Sequence, residues 1–140
     1  MTARDDLPPR EAIVVEEHWR VCHAFDTSLA GWLVVVPKRH VTAIHELTDE
    51  EMAGVGPLIR RLSAALRDVV GCQKTYVVQF AEAKEHAHVH FHVIPRMATF
   101  TDAQRGPNVF TFLGVSEDEQ VAVAQMDDIA LALQAALPAS

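Results

Sequence analysis

The sequence predicts an α+β fold, an antiparallel sheet carrying two helices, and three observations predict it. Short segments alternate apolar and polar residues with the strand period, the links within strand pairs are too short for parallel crossovers, and two stretches open on capping boxes before apolar residues at helical spacing.

Residues 1–10, with Asp5-Asp6 and Pro8-Pro9, read as a mobile lead-in to a single domain over 11–140. Ala12 to Val15 suits a short edge strand. Trp19 to Phe25 alternates Trp19, Val21 and His23 with Arg20, Cys22 and Ala24, and Asp26-Thr27-Ser28 ends it as a turn. Gly31 to Val36 is a strongly apolar strand stopped by Pro37, so the pair is predicted to form a hairpin.

Thr48-Asp49-Glu50-Glu51 is a capping box with Thr48 as N-cap. Met52, Val55, Ile59, Leu62, Leu66 and Val69 then form an amphipathic stripe, and Gly71 supplies a stop. Gly54, Gly56 and Pro57 predict a kink or a late regular start near Pro57.

Thr75 to Phe80 is a β-branched and aromatic strand, and the short link from Ala81 to Glu85 makes it the antiparallel neighbour of the histidine-rich strand that follows. Met97 to Gly114 is irregular and long for a plain connection, which predicts a flap over a cleft or part of a subunit contact. Ser116-Glu117-Asp118-Glu119 repeats the capping-box pattern and predicts a second helix over about 116–137. Its inner stripe would be Ala122, Met126, Ile129, Leu133 and Leu137, with Pro138 ending it.

Composition narrows the functional classes. At 140 residues, 49% hydrophobic and 22% charged, the chain reads as an ordinary globular protein able to bury about two-thirds of its unfolded surface. A formal charge of -7 argues against binding a nucleic acid polymer, whereas a small nucleotide needs only a local pocket. No apolar run approaches the roughly 20 residues of a membrane span, and the N-terminus lacks a signal-peptide core, so no membrane association and a cytoplasmic location are expected. Cys22 and Cys72 form no Cys-x-x-Cys pair, and burial is the default for each.

The chemistry is concentrated in His86-Ala87-His88-Val89-His90-Phe91-His92-Val93-Ile94-Pro95-Arg96, where four of the eight histidines fall on alternate positions. In a strand the four imidazoles would share one face and Ala87, Val89, Phe91 and Val93 the other. Imidazoles packed unpaired among apolar groups would each cost roughly 1–3 kcal/mol, so the row must face a polar cleft. Three alternate residues span about 13 Å of straight strand, too far for His88, His90 and His92 to converge on one metal ion at about 2.0–2.1 Å. Geometry instead favours one working imidazole, the middle His90, with flanking rings that orient it.

His88-Val89-His90-Phe91-His92-Val93-Ile94 resembles the histidine-triad motif, three histidines alternating with apolar residues and followed by two more. Gly31-Trp32-Leu33-Val34-Val35-Val36-Pro37-Lys38-Arg39-His40 resembles the same family's strand running into Pro-Lys-x-His. The likeness covers roughly residues 11 to 96. It implies the fold of the histidine triad (HIT) family of nucleotide hydrolases and transferases: about five antiparallel strands, two helices and a two-fold homodimer. It also implies attack by His90 on the α-phosphorus of a nucleotide, forming a nucleotidyl-imidazole, with His88 and His92 in support. The implied substrates are nucleotide phosphoramidates or dinucleoside polyphosphates, and the alternative is a nucleotide-binding module with little or no turnover.

The resemblance further implies a ribose-binding acid or amide, a role open to Asp26, whose other reading is a turn residue. Phe25 is placed to stack on a base or to pack in the core. Gln79 stands in for a family asparagine, Lys84 stands where the family has a phosphate-contacting amide and either replaces it as a point charge or is simply solvated, and His86 adds a phosphate contact or a strand-end hydrogen bond. Trp32, where the family often has histidine, is expected to remove one polar partner of the triad. Some relatives bind zinc through a Cys pair and two histidines; Cys22, His18, His40 and either His86 or His88 would imitate that set, but the Cys pair is missing. No metal and no cofactor are expected.

Overall fold

The structure, a computed structural model, describes residues 6–82 and 87–138. Five antiparallel strands form one sheet: β1 (Val14–Val15), β2 (Trp19–His23), β3 (Leu33–Pro37), β4 (Lys74–Val78) and β5 (Phe91–Arg96). The spatial order is β1-β2-β3-β5-β4, so the last strand in sequence lies between the β2–β3 hairpin and β4. Both strand pairs expected from their short links are present, with Cys22 opposite Val34 and Tyr76 opposite Ile94. Among the described residues there are two α-helices, α1 (Asp49–Val70) and α2 (Val123–Ala136), and no helix is long and apolar enough to cross a membrane.

Helix α1 starts where its capping box places it. The Thr48 hydroxyl accepts from the Glu51 amide at 3.1 Å, and the Thr48 amide donates to the Glu51 carboxylate at 2.8 Å. The Arg39 guanidinium also donates to that carboxylate, at 2.7 and 3.1 Å, tying the loop after β3 to the helix. Gly71, at φ +72°, ends the helix in the left-handed conformation that glycine tolerates. No late start occurs at Pro57, because Pro57 and Ala53 lie on the exposed side, where water can take the carbonyl that the missing N–H leaves unpaired. The inner stripe is also rotated slightly from the expectation: Met52 is exposed, while Leu58 and Ala65 are buried with Val55, Leu62 and Leu66.

The second capping box does not start a helix. Glu117–Glu119 forms a single 3-10 turn and α2 begins at Val123, not 116, because the Val121 amide is drawn into a 2.8 Å hydrogen bond with the Thr27 carbonyl. Met126, Ile129 and Leu133 are buried as expected, whereas Ala122 is exposed. The lead-in is anchored at its end. Pro9–Glu11 makes a 3-10 turn, and Arg10 bonds the Asp127 carboxylate of α2 through both its backbone amide and its guanidinium.

Apolar packing covers both faces of the sheet. On one face Trp19, Val21, Leu33, Val35 and Val93 pack with Leu58, Leu62 and Leu66 of α1 and Leu133 of α2. Ala24, Leu29, Trp32, Ile94, Phe100 and Val109 form a second cluster. At roughly 1.5–3 kcal/mol per fully buried large side chain, these clusters fix which face of β5 carries His92.

Candidate active site

The histidine row enters the sheet later than the alternation predicts. Regular strand begins at Phe91, so His88 and His90 precede it. The β3–β5 ladder stops at Val35 opposite Phe91, and Pro37, without an N–H, stands where it would continue. The Val89 amide instead donates to the Val41 carbonyl at 2.7 Å. Val89 is nonetheless fully buried, and the alternation survives: ring centroids are 5.4 Å apart for His88 and His90 and 4.8 Å for His90 and His92. His40 extends the row, 5.9 Å from His88.

Each ring of the row has its own setting. His90 Nδ1 lies 2.9 Å from the His88 carbonyl oxygen. A carbonyl only accepts, so Nδ1 carries the proton and Nε2 of the neutral ring keeps its lone pair. His92 is buried, its Nδ1 lies 2.9 Å from the Trp32 indole nitrogen, and burial, then the neighbouring His90, lowers its pKa to about 4. Trp32 therefore supplies a polar partner to the triad instead of removing one.

The row lines a cavity of about 530 Å³. Cys22, Val34 and Val36 form its sheet wall, Phe25 and Asp26 stand at the end of β2, and Phe80, Glu82, Phe110 and Leu113 are also part of the lining. Phe25 is 67% exposed, which corrects its core reading and leaves its ring at the cavity. Asp26 lines the cavity too, while its backbone carbonyl accepts from the amides of Gly114 and Val115.

The corner carrying these two residues rests on a histidine outside the triad. His23 Nδ1 donates to the Ala24 carbonyl at 2.7 Å and its Nε2 accepts from the Gly31 amide at 2.9 Å. Burial lowers its pKa. Gly31 has φ +93°, and a Cβ there would come within 3.2 Å of Val70 and 3.3 Å of Pro95.

Gln79 is not among the cavity-lining residues; its Oε1 is buried with no hydrogen-bond partner among the described residues. Lys84 and His86 lie outside the described residues. Among the described residues no three His, Cys, Asp or Glu side chains are grouped so as to hold a metal ion.

Sequence reasoning missed Phe110. The segment after β5 runs through a 3-10 stretch, Gly106–Phe112, bonded at its start to the Tyr76 hydroxyl and bridged by Leu113 to Thr27. It therefore crosses the sheet as a strap, consistent with the flap expectation. Phe110 packs edge-on against Trp32 and His92, both at 5.4 Å, and 5.5 Å from Phe80. Val109, Phe110 and Phe112 recur with neither strand nor helix spacing, so no periodic signal located it.

A five-stranded antiparallel sheet that sets three alternate imidazoles beside an apolar cleft is the arrangement of the histidine triad proteins. The HIT domain profile matches residues 8–99, and the chain belongs to that family. It is 36% identical over 69 residues to adenosine 5'-monophosphoramidase hnt1 of Schizosaccharomyces pombe, covering 47% of this chain and 49% of that protein. It is 33% identical over 70 residues to adenosine 5'-monophosphoramidase HNT1 of Saccharomyces cerevisiae, covering 47% and 41%. The chain thus spans about half the length of the curated relatives it matches or less. Among solved structures it resembles a histidine triad protein of Sinorhizobium meliloti 1021, with a TM-score of 0.73, 22% identity and coverage of 97% and 96%.

Proposed function

We propose that the protein is an enzyme that cleaves a small nucleotide substrate at its α-phosphate, as hydrolase or nucleotidyl transferase, through a nucleotidyl intermediate on His90. The substrate is a nucleotide phosphoramidate or a dinucleoside polyphosphate, and the working form is a cytoplasmic homodimer. The observation that carries this reading is the His90 ring, whose Nδ1 proton is held by the His88 carbonyl so that the Nε2 lone pair is the one available for attack. Nε2 forms a bond to phosphorus as the bond to the leaving group breaks. His88 supplies the proton that the departing amine or oxygen needs. Water then attacks the same phosphorus, giving its proton back to the now neutral His88; the P–N bond breaks, and nucleoside monophosphate and the neutral His90 imidazole are released.

The supporting features are the apolar wall of Cys22, Val34 and Val36 with Phe25 at its edge, suited to a base, and Asp26 at the same end, suited to ribose hydroxyls. Phosphoramidase activity belongs to both curated relatives by name.

A second reading, a nucleotide-binding module with little turnover, is favoured by one observation: none of the described residues lining the cavity is Lys or Arg. One experiment separates the two. Adenosine and guanosine phosphoramidates and dinucleoside polyphosphates are assayed with wild type and His90→Asn, with and without chelator. Turnover that vanishes in the variant and ignores chelator is expected. Tight mononucleotide binding by calorimetry without turnover would establish the binding module instead.

A further inference from the structure

We propose that Trp32 is a positioning residue that locks His92 into one tautomer, with Nδ1 unprotonated and the Nε2 proton directed away from the indole toward the reaction. The inference rests on the nucleotidyl-transfer reading and deepens it.

The argument starts from what an indole can do. Its N–H donates and never accepts, so at 2.9 Å from His92 Nδ1 it requires a lone pair on that nitrogen. The single proton of the neutral ring is then on Nε2. A second proton on Nδ1 would set two N–H groups against each other where Trp32 is fully buried and His92 is 8% exposed. Neither donor would have a partner.

Packing holds the pair. Trp32 and His92 meet at 90°, and Phe110 stands edge-on to both, at 77° to Trp32 and 89° to His92. Val34 and Val78 are the cross-strand neighbours of His92, so strands on both sides confine the ring. Ionisable groups surround it on several sides among the described residues. His90 is 4.8 Å away, Cys22 shares its cross-strand row through Val34, and His23, Asp26, Glu82 and His88 line the same cavity.

The consequence is a division of labour. His92 acts as a fixed neutral donor, able to hydrogen-bond a phosphoryl oxygen through Nε2–H but unable to arrive as an imidazolium. Proton delivery to the leaving group therefore falls to His88, the half-buried ring on the other side of His90. A histidine at position 32 could donate or accept, leaving both tautomers of residue 92 open. The tryptophan closes one of them.

The test combines nitrogen-15 NMR of the imidazoles with kinetics. In wild type, His92 is expected to show an unprotonated Nδ1 and a protonated Nε2 throughout pH 5–8. Trp32→Phe, which keeps an aromatic ring and removes the donor, is expected to release the tautomer, so that a form of His92 with Nδ1 protonated appears in the same spectra. It should lower kcat by about three- to tenfold, the size of one lost hydrogen bond, with KM little changed. A protonated Nδ1 on His92 in wild type would overturn the proposal, as would a Trp32→Phe enzyme with unaltered His92 signals. The wild-type spectrum decides the tautomer without any turnover, so a failure of the proposed reaction is distinguishable from a failure of the positioning role.

Discussion

Acidifying the protein from pH 7.5 to pH 4 tests the environment of His92 through folding stability alone. The folded ring is held near pKa 4 against an ordinary value of 6.5, chiefly by burial and secondarily by His90. As pH falls through 6.5 the unfolded chain takes up a proton that the folded chain refuses, so stability decreases until the folded ring also protonates near pH 4. At about 1.4 kcal/mol per pH unit of separation, and allowing for residual exposure, the loss attributable to His92 is about 2–3 kcal/mol. His23, also lowered by burial, contributes in the same direction, and the carboxylates add their own dependence. The perturbation is therefore His92→Asn, whose side-chain oxygen can accept from the Trp32 indole while carrying no titrating group. Urea unfolding of both proteins at pH 7.5, 6, 5 and 4 gives the comparison, and the stability of wild type should fall more steeply between pH 6.5 and 4. Parallel curves, agreeing to within about 0.5 kcal/mol after a constant offset, would refute the reasoning.

Other perturbations address the frame and the chemistry. Gly31→Ala imposes a side chain at φ +93° against Val70 and Pro95 and should cost about 1–3 kcal/mol, read from the urea midpoint; an unchanged midpoint would remove the claim that this corner requires glycine. Glu51, held to about 2 first by its hydrogen bonds from Arg39 and then by the Thr48 amide, stabilises the fold fully above pH 4.5 and loses that contribution as pH falls toward 2. Glu51→Gln should flatten acid unfolding in that window, and identical acid curves would contradict it. His90→Asn should abolish turnover with nucleotide binding retained, whereas His88→Ala and His92→Ala should each lose less kcat. Equal losses at all three would overturn the assignment of His90 as nucleophile and its neighbours as support. Phe110→Ala should free the His92 ring and lower kcat by a few-fold with the sheet intact, and unchanged kinetics would show that the strap does not constrain the site.

Local signals were read well where the local interaction also wins in the folded chain. Thr48 and Glu51 close a capping box within four residues, and the helix starts there. Ser116 and Glu119 also meet, at 3.1 Å, but the Thr27 carbonyl takes the Val121 amide and stops the backbone from continuing as helix. The two motifs look alike in sequence because the competing acceptor lies far away along the chain. The same limit explains Trp32: its substitution for a family histidine suggested a lost contact, and only the β3–β5 pairing brings its indole to His92.

By itself, the sequence determined the strand pairs, the first helix and the alternation that places His88, His90 and His92 side by side, since all depend on periodicity and near neighbours. Tertiary structure decided which nitrogen of His90 and of His92 is available, that Phe25 stands at the cleft and Phe110 behind His92, and where the second helix begins. Those outcomes depend on hydrogen-bond partners and packing surfaces supplied by residues distant in the chain, and no local pattern encodes them.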